Sequence, residues 1–361
     1  MPVLDEPAPR LWPGAAADPP MAIPVTRLAS HTVRLSDGQP VGVAVGGRGI
    51  PLVVAHGFSL AGMMYVQSLS RLASMGFKVI SVDLAGHGAS AALTRRGHDL
   101  DSYRRHLGEV MDLLGVKQAV LAGHSLGGRL VAEVAAAEPQ RAVAVLLVDA
   151  AVGRAWDDLA AFARWSPPIL GLVGATLSAD TLGTLFLNGD QGLKLQGLAA
   201  PQAVANAVAP WRLVAPALSV LLAPGSARTL DRLRGHGHPV FVLHGTRDPV
   251  VPVAAARDAA RRTGGDLVLV EGAGHSWLLE DPETLRAIVA HLLTERLGEA
   301  CVGALTAAGL DGETVSLAEL ETAFYEPGAL VHELTPDARR TEIRPGRPPR
   351  FAWTVEDHGG S

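Results

Sequence analysis

Cysteine is nearly absent: Cys301 is the single one among 361 residues. A disulfide framework within the chain and a zinc site built on thiolates are both excluded. Aromatic residues make up only 4% of the chain, a poor composition for the stacking platforms that read single-stranded nucleic acid. Basic blocks are missing as well. Lys and Arg number 31 against 36 Asp and Glu, a formal net charge of −5, which leaves no electrostatic footprint for a nucleic-acid partner. The longest apolar runs lie at 142–152 and 213–224, the second interrupted by Pro216. A bilayer-spanning helix needs roughly 20 apolar residues, so neither run predicts a membrane span. The N-terminus carries Asp5 and Glu6 where a secretory signal would carry positive charge, and no apolar core precedes Pro24. The expectation is a cytoplasmic protein. What the chain does have is 48% hydrophobic and 19% charged residues, enough for a sizeable buried core and unlike a disordered chain.

The order of segments points to an α/β class. Residues 1–30, rich in Pro and Ala, read as a flexible or loosely docked leader. HTVRLSDGQPVGVAVGG then alternates about Asp37-Gly38, a β-hairpin signal. Six apolar runs follow: PLVVAHG, FKVISVDLAGHG, QAVLAGHSLGG, AVAVLLVDA, HPVFVLHGTRD and DLVLVEGAGH. Helix-like segments at 60–74, 101–114, 126–137 and 282–297 lie among and after them. Strands without polar alternation, interleaved with helices, predict a doubly wound, mostly parallel sheet covered on both faces. Between Val152 and Gly237 the alternation stops. This stretch is too long for an ordinary loop, and its helix-like apolar spacing predicts a helical cap over 152–237. The core is then 31–151 and 238–299. Residues 300–361 form a C-terminal extension of unknown role, with a helix signalled by the Ser316–Glu319 capping box.

The strongest local signal is Gly123-His124-Ser125-Leu126-Gly127, a G-x-S-x-G pattern placed between an apolar strand and a helix-like run. A serine on such a turn has a strained backbone, glycines two positions either side leave it room, and the helix directs its N-terminal N–H groups at an oxyanion. A serine hydroxyl needs a general base, and the base an orienting acid. Downstream, HGTRDPVVP offers Asp248 and GAGHSWLLEDP offers His275. All three fall at C-terminal ends of predicted strands, where open α/β sheets carry their sites.

With these motifs, and with His56-Gly57-Phe58 and Asp83-Leu84-Ala85-Gly86-His87-Gly88-Ala89-Ser90 each following a strand, the chain resembles the α/β-hydrolase superfamily, in its serine esterase and peroxidase-like branch with a helical cap. The likeness covers about residues 31–299. It implies catalytic roles for Ser125, Asp248 and His275, and an oxyanion hole from the backbone N–H groups of Phe58 and Leu126. The implied reaction is hydrolysis of an ester or thioester of a small hydrophobic substrate through an acyl-enzyme on Ser125. The alternatives are acyl transfer or perhydrolysis by the same acyl-enzyme, or a slow-turnover ligand-binding protein on the same fold.

Other residues compete for roles. Asp149 also ends an apolar strand and is a second candidate acid. His56, Gly57, His124 and Trp277 are pocket or loop candidates, and Trp277 could equally be a packing anchor. His87 and Asp83 belong to a glycine-rich turn. His236 and His238 lack a thiolate or carboxylate pair to complete a metal site and are read as a linker. The expected reaction needs neither metal nor organic cofactor. The expected partner is a small hydrophobic ester or acyl substrate, with no nucleic acid and no membrane span.

Overall fold

The computed structural model describes residues 22–58, 61–93, 97–187, 189–209, 211–311, 315–336 and 341–356; most of the predicted leader lies outside them. Eleven strands are present among these residues: β1 (Ala22–Thr26), β2 (Ala29–Arg34), β3 (Pro40–Gly46), β4 (Ile50–Ala55), β5 (Phe77–Val82), β6 (Ala119–His124), β7 (Ala142–Val148), β8 (Val240–Gly245), β9 (Asp266–Val270), β10 (Thr341–Pro345) and β11 (Trp353–Glu356). Nine of them form one sheet in the order β2-β3-β5-β4-β6-β7-β8-β9-β11. The six from β5 to β9 run parallel, and β2, β3 and β11 are antiparallel additions. Every residue of β4, β5, β7, β8 and β9 is buried. Helices cover both faces, so these strands need no polar side, and each buried Val, Leu or Ile contributes roughly 1.5–3 kcal/mol relative to exposure.

The helices at Leu100–Leu114 and Leu126–Ala137 match the expected segments. The expected helix at 282–297 ends instead at Leu293, and a second one runs over Arg296–Ala307. A further helix, Val253–Thr263, was not anticipated from the apolar spacing. Its apolar face is made almost entirely of alanine, which packs well but gives a weak hydrophobic signal. Among the described residues between β7 and β8 there are five helices and no strand: Arg154–Ala163, Pro167–Leu187, Gly189–Val208, Trp211–Leu221 and Ala227–His236.

Three features differ from the sequence reading. First, Ala22–Thr26, inside the segment expected to be a loose leader, pairs antiparallel with Thr341–Pro345. Its alternation buries Ile23, Val25 and Thr26. Second, the C-terminal extension is built into the body. Cys301, Leu305, Leu320, Phe324, Tyr325 and Val331 are buried, and β11 extends the sheet beside β9. The fully buried Lys78 of β5 meets Glu321 at 3.3 Å and lies 4.9 Å from the Tyr325 ring centroid, so the extension partners a cation that the sheet alone would strand. Third, the helix Pro167–Phe186 is long and apolar enough to cross a membrane by length and composition. Its apolar run is interrupted by Gly, Ser and Thr and by one charged residue, Asp180, so no unbroken apolar run marks it.

Candidate active site

The glycines of the G-x-S-x-G turn are there for space. A Cβ on Gly123 would sit 2.3 Å from the Gly127 carbonyl oxygen, and one on Gly127 would sit 2.1 Å from that of Ala55. With both positions bare, β6 runs into the Leu126–Ala137 helix in a turn that holds Ser125 at φ 53. Only one other non-glycine residue described, Asp149 at φ 43, shares a positive φ. Such backbone strain costs on the order of 1–3 kcal/mol and persists only where surrounding contacts enforce it. Here the Ser125 N–H donates to the Val148 carbonyl, and the Ser125 carbonyl accepts from Arg129 and Ala151. Leu126 is in the first helical turn, where backbone N–H groups have no intrahelical acceptor.

Asp248 follows β8 and His275 follows β9. The structure brings them together: His275 Nδ1 lies 2.7 Å from Asp248 Oδ2. Both side chains are buried. Asp248 Oδ1 accepts the N–H groups of Val250 and Val251 at 2.7 and 2.9 Å. Burial alone would raise this carboxyl; the His275 charge and hydrogen bond, with His244 and the Val251 N–H, outweigh it and hold Asp248 below the usual carboxylate range. The other ring nitrogen, His275 Nε2, is buried and has no hydrogen-bond partner. No hydrogen bond joins it to Ser125 Oγ among those described, and Ser125 retains 8% exposure.

Asp149 is held elsewhere. Its Oδ1 accepts the Gly245 N–H at 2.8 Å, and its Oδ2 accepts the Trp277 indole N–H at 2.6 Å. Burial first, and then the Asp248 charge, push its carboxyl well above the ordinary range. Trp277 is fully buried, so it anchors the His275 loop to the end of β7 and does not line an open pocket. The donor atoms of Asp149, His244 and Asp248 lie within 4.8 Å of one another, close enough for a metal. The carboxylate oxygens and His244 Nε2 are already engaged, the latter with the Val251 carbonyl at 3.0 Å. His236 and His238 have ring centroids 5.9 Å apart, and His236 Nε2 meets the Ala136 carbonyl at 3.3 Å.

His56 and His87 are held by backbone contacts. His56 Nε2 accepts the Leu84 N–H at 2.9 Å, which leaves Nδ1 to donate to the Gly57 carbonyl at 2.7 Å. Burial lowers His56 to about 4 and His87 to about 3, so both are neutral at pH 7. Asp83 braces its turn by accepting from Gly62 and Ala89. Phe58 is partly buried against the core, with its ring 6.0 Å from that of His87.

Two residues near Ser125 escaped the sequence reading. Tyr65 Oη accepts the Gly57 N–H at 3.1 Å and donates to His124 Nδ1 at 2.8 Å. His124 Nε2 then donates to the His275 carbonyl at 2.9 Å. Burial, and secondarily the His275 charge, push His124 to about 3, and burial raises Tyr65, so this relay is neutral. It ties the Gly57-Phe58 loop to the His275 loop. The second residue, Asp180, comes from the cap, and its Oδ1 accepts the His275 N–H at 3.1 Å. Tyr65 was findable in principle, as one of only three tyrosines in the chain; Asp180 carried no signal.

Comparison with known proteins agrees with this architecture. Residues 52–288 match the model of the alpha/beta hydrolase family. A Mycobacterium phage D29 protein assigned by name to the non-heme haloperoxidases is 36% identical, with 73% of this chain and 95% of the relative covered. A non-heme chloroperoxidase of Streptomyces lividans is 30% identical over 70% of this chain and 96% of the relative. A pimeloyl-[acyl-carrier protein] methyl ester esterase of Chromobacterium violaceum is 31% identical over 69% and 96%. Among solved structures, an esterase from Rhodococcus superposes with a TM-score of 0.54 at 26% identity, over 74% of this chain and 98% of that one. The chain belongs to the α/β hydrolase family.

Proposed function

We propose that this protein is a serine hydrolase that cleaves an ester or thioester of a small hydrophobic acid or alcohol through an acyl-enzyme on Ser125. The observation that carries the reading is the Asp248–His275 hydrogen bond of 2.7 Å, which leaves His275 Nε2 buried and unpartnered. Asp248 fixes the tautomer with the proton on Nδ1, so Nε2 has a lone pair for the Ser125 hydroxyl proton. Ser125 Oγ attacks the carbonyl carbon, and the Phe58 and Leu126 N–H groups receive the oxyanion. His275 returns the proton to the leaving oxygen or sulfur. Water then attacks the acyl group, giving a proton to His275, and the acid departs as Ser125 recovers its hydrogen. Removing one oxyanion donor of this kind costs about 10²–10³ in rate. Both donors are main-chain groups, so the backbone geometry fixed by Gly57, Gly123 and Gly127 matters as much as the side chains.

Support for the ester class comes from the methyl ester esterase and esterase relatives. The haloperoxidase names of two relatives favour a second reading, in which hydrogen peroxide replaces water and the product is a peracid. The test is release of p-nitrophenol from esters of two to twelve acyl carbons, with Ser125→Ala alongside. Turnover by the parent and a loss of at least about 10³ in kcat for the variant is the expected result. Equal rates for the two proteins would sink the acyl-enzyme. Peracid formation from acetate and peroxide, exceeding ester hydrolysis, would favour the second reading.

A further inference from the structure

In the middle of the helical insertion, over Pro167–Leu187, Gly189–Val208 and Trp211–Leu221, four polar side chains turn toward the body: Asp180 takes the His275 N–H, Gln191 donates to the Leu279 carbonyl at 3.0 Å, Gln202 accepts the Gly88 N–H at 2.9 Å, and Arg212 donates to the Ser90 carbonyl at 2.8 Å. Leu185 and Leu195 are buried with them, but many other large apolar side chains of this stretch face outward. Trp165 is 85% exposed, Val208 71%, Trp211 68%, Leu172 65%, Phe186 64% and Val204 63%. From Trp165 to Trp211 the only charged residues are Asp180, Asp190 and Lys194. A water-facing helix shows the opposite pattern. The two tryptophans alone leave on the order of 300 Å² in contact with solvent, and Leu172, Phe186, Val204 and Val208 add to it.

We propose that this outer face of the cap docks on a lipid bilayer, lying in the plane of the headgroups. A helix as apolar as Pro167–Phe186 is ordinarily a core helix or a signal sequence. This one is neither, because only 11% of its apolar window is buried and it sits in the middle of the chain. It does not cross the bilayer, since its partners at Asp180 and the neighbouring Gln191 and Gln202 hold these helices against one side of the body. Lipid suits this surface better than a second copy of the chain does. A protein partner covers one face and meets it with a polar rim; here three successive helices are apolar outward with hardly a charge between them. Tryptophans at both ends of the stretch, Trp165 and Trp211, match the side chains that settle at the headgroup level.

The test is flotation of the full chain with vesicles of pure phosphatidylcholine, in low and high salt, against a Trp165→Ser/Leu172→Ser/Trp211→Ser variant. The parent is expected to float in both salts, with its partition coefficient at least about 100-fold above the variant's. The substituted groups are exposed, so the variant should keep its melting temperature; if it does not, Val204→Ser/Val208→Ser provides the same comparison. A parent that stays with the lipid-free fraction overturns the proposal. So does binding that needs phosphatidylglycerol and vanishes in salt. A parent that is dimeric by light scattering, becomes monomeric in the variant and ignores vesicles would assign the face to a second copy. None of these readouts depends on the hydrolase reading.

Discussion

Removing one oxygen from Tyr65 tests how the site is held. In Tyr65→Phe the ring stays, but the Gly57 N–H loses its acceptor and His124 Nδ1 loses its donor. Gly57, Tyr65 and His124 are all buried, so water does not readily replace the hydroxyl. A buried polar group left without a partner costs about 1–3 kcal/mol, and two such groups sharing one partner give a combined loss of roughly 2–4 kcal/mol. A chain of this size shifts its melting temperature by about 2 °C per kcal/mol, so differential scanning calorimetry should record a fall of roughly 4–8 °C. The same substitution frees the Gly57-Phe58 peptide, one side of the proposed oxyanion hole, and steady-state ester kinetics should show kcat down about 10-fold with KM within two-fold. In a His124→Ala background the thermal loss should shrink by about half, because one of the two stranded groups is already gone. A Tyr65→Phe protein that melts within 1 °C of the parent and turns over at the same rate would refute the idea that this relay organises the site.

Asp248→Asn should keep the fold while lowering kcat by about 10⁴, since an amide at that position favours the wrong tautomer of His275; a loss under 10-fold would transfer the orienting role to another acid, with Asp149 the nearest candidate. Stability should fall on mild acidification. His56, His87 and His124 are depressed to about 4, 3 and 3. Their stabilisation is therefore complete above the unfolded value near 6.5 and is lost as pH drops toward the folded values. From pH 7 to 5.5 these three together remove about 4 kcal/mol, and the raised Asp149 carboxyl acts in the opposite direction. The urea midpoint should be lower at pH 5.5 than at pH 7, and equal midpoints would contradict the buried, neutral histidines. Phe324→Ala, in the extension, should cost about 3–5 kcal/mol as a fully buried aromatic. Removal of residues 300–361 should give an aggregating protein, and a soluble truncation with the parent's melting temperature would show the extension to be an appendage.

The parts of this molecule that sequence reveals are those governed by short-range rules. The unbroken apolar runs of β4 to β9 state that both faces of the sheet are covered, and Gly123 and Gly127 mark where neighbouring backbone comes too close for a side chain on either side of Ser125. Asp248 and His275 stand out because each ends a strand on the same edge of the sheet. The contacts that stay hidden join residues far apart in the chain. Nothing near Tyr65 announces that its hydroxyl spans from Gly57 to His124, and Asp180 acquires its place beside His275 only through cap packing. The C-terminal extension misleads for a related reason. Its RPGRPPR stretch has a disordered composition, yet Thr341–Pro345 forms a two-stranded sheet with β1, and Trp353–Glu356 finds a ready-made edge at β9, where pairing needs little intrinsic preference.

The central claim is that Ser125 is an activated nucleophile. Incubating the parent, Ser125→Ala and Asp248→Asn with a fluorophosphonate, followed by intact mass and peptide mapping, measures this without any choice of substrate. The account predicts one adduct per parent chain on the peptide containing Ser125, none on Ser125→Ala, and labelling slowed by several orders of magnitude on Asp248→Asn. An unlabelled parent, or an adduct mapped to any other residue, would contradict it.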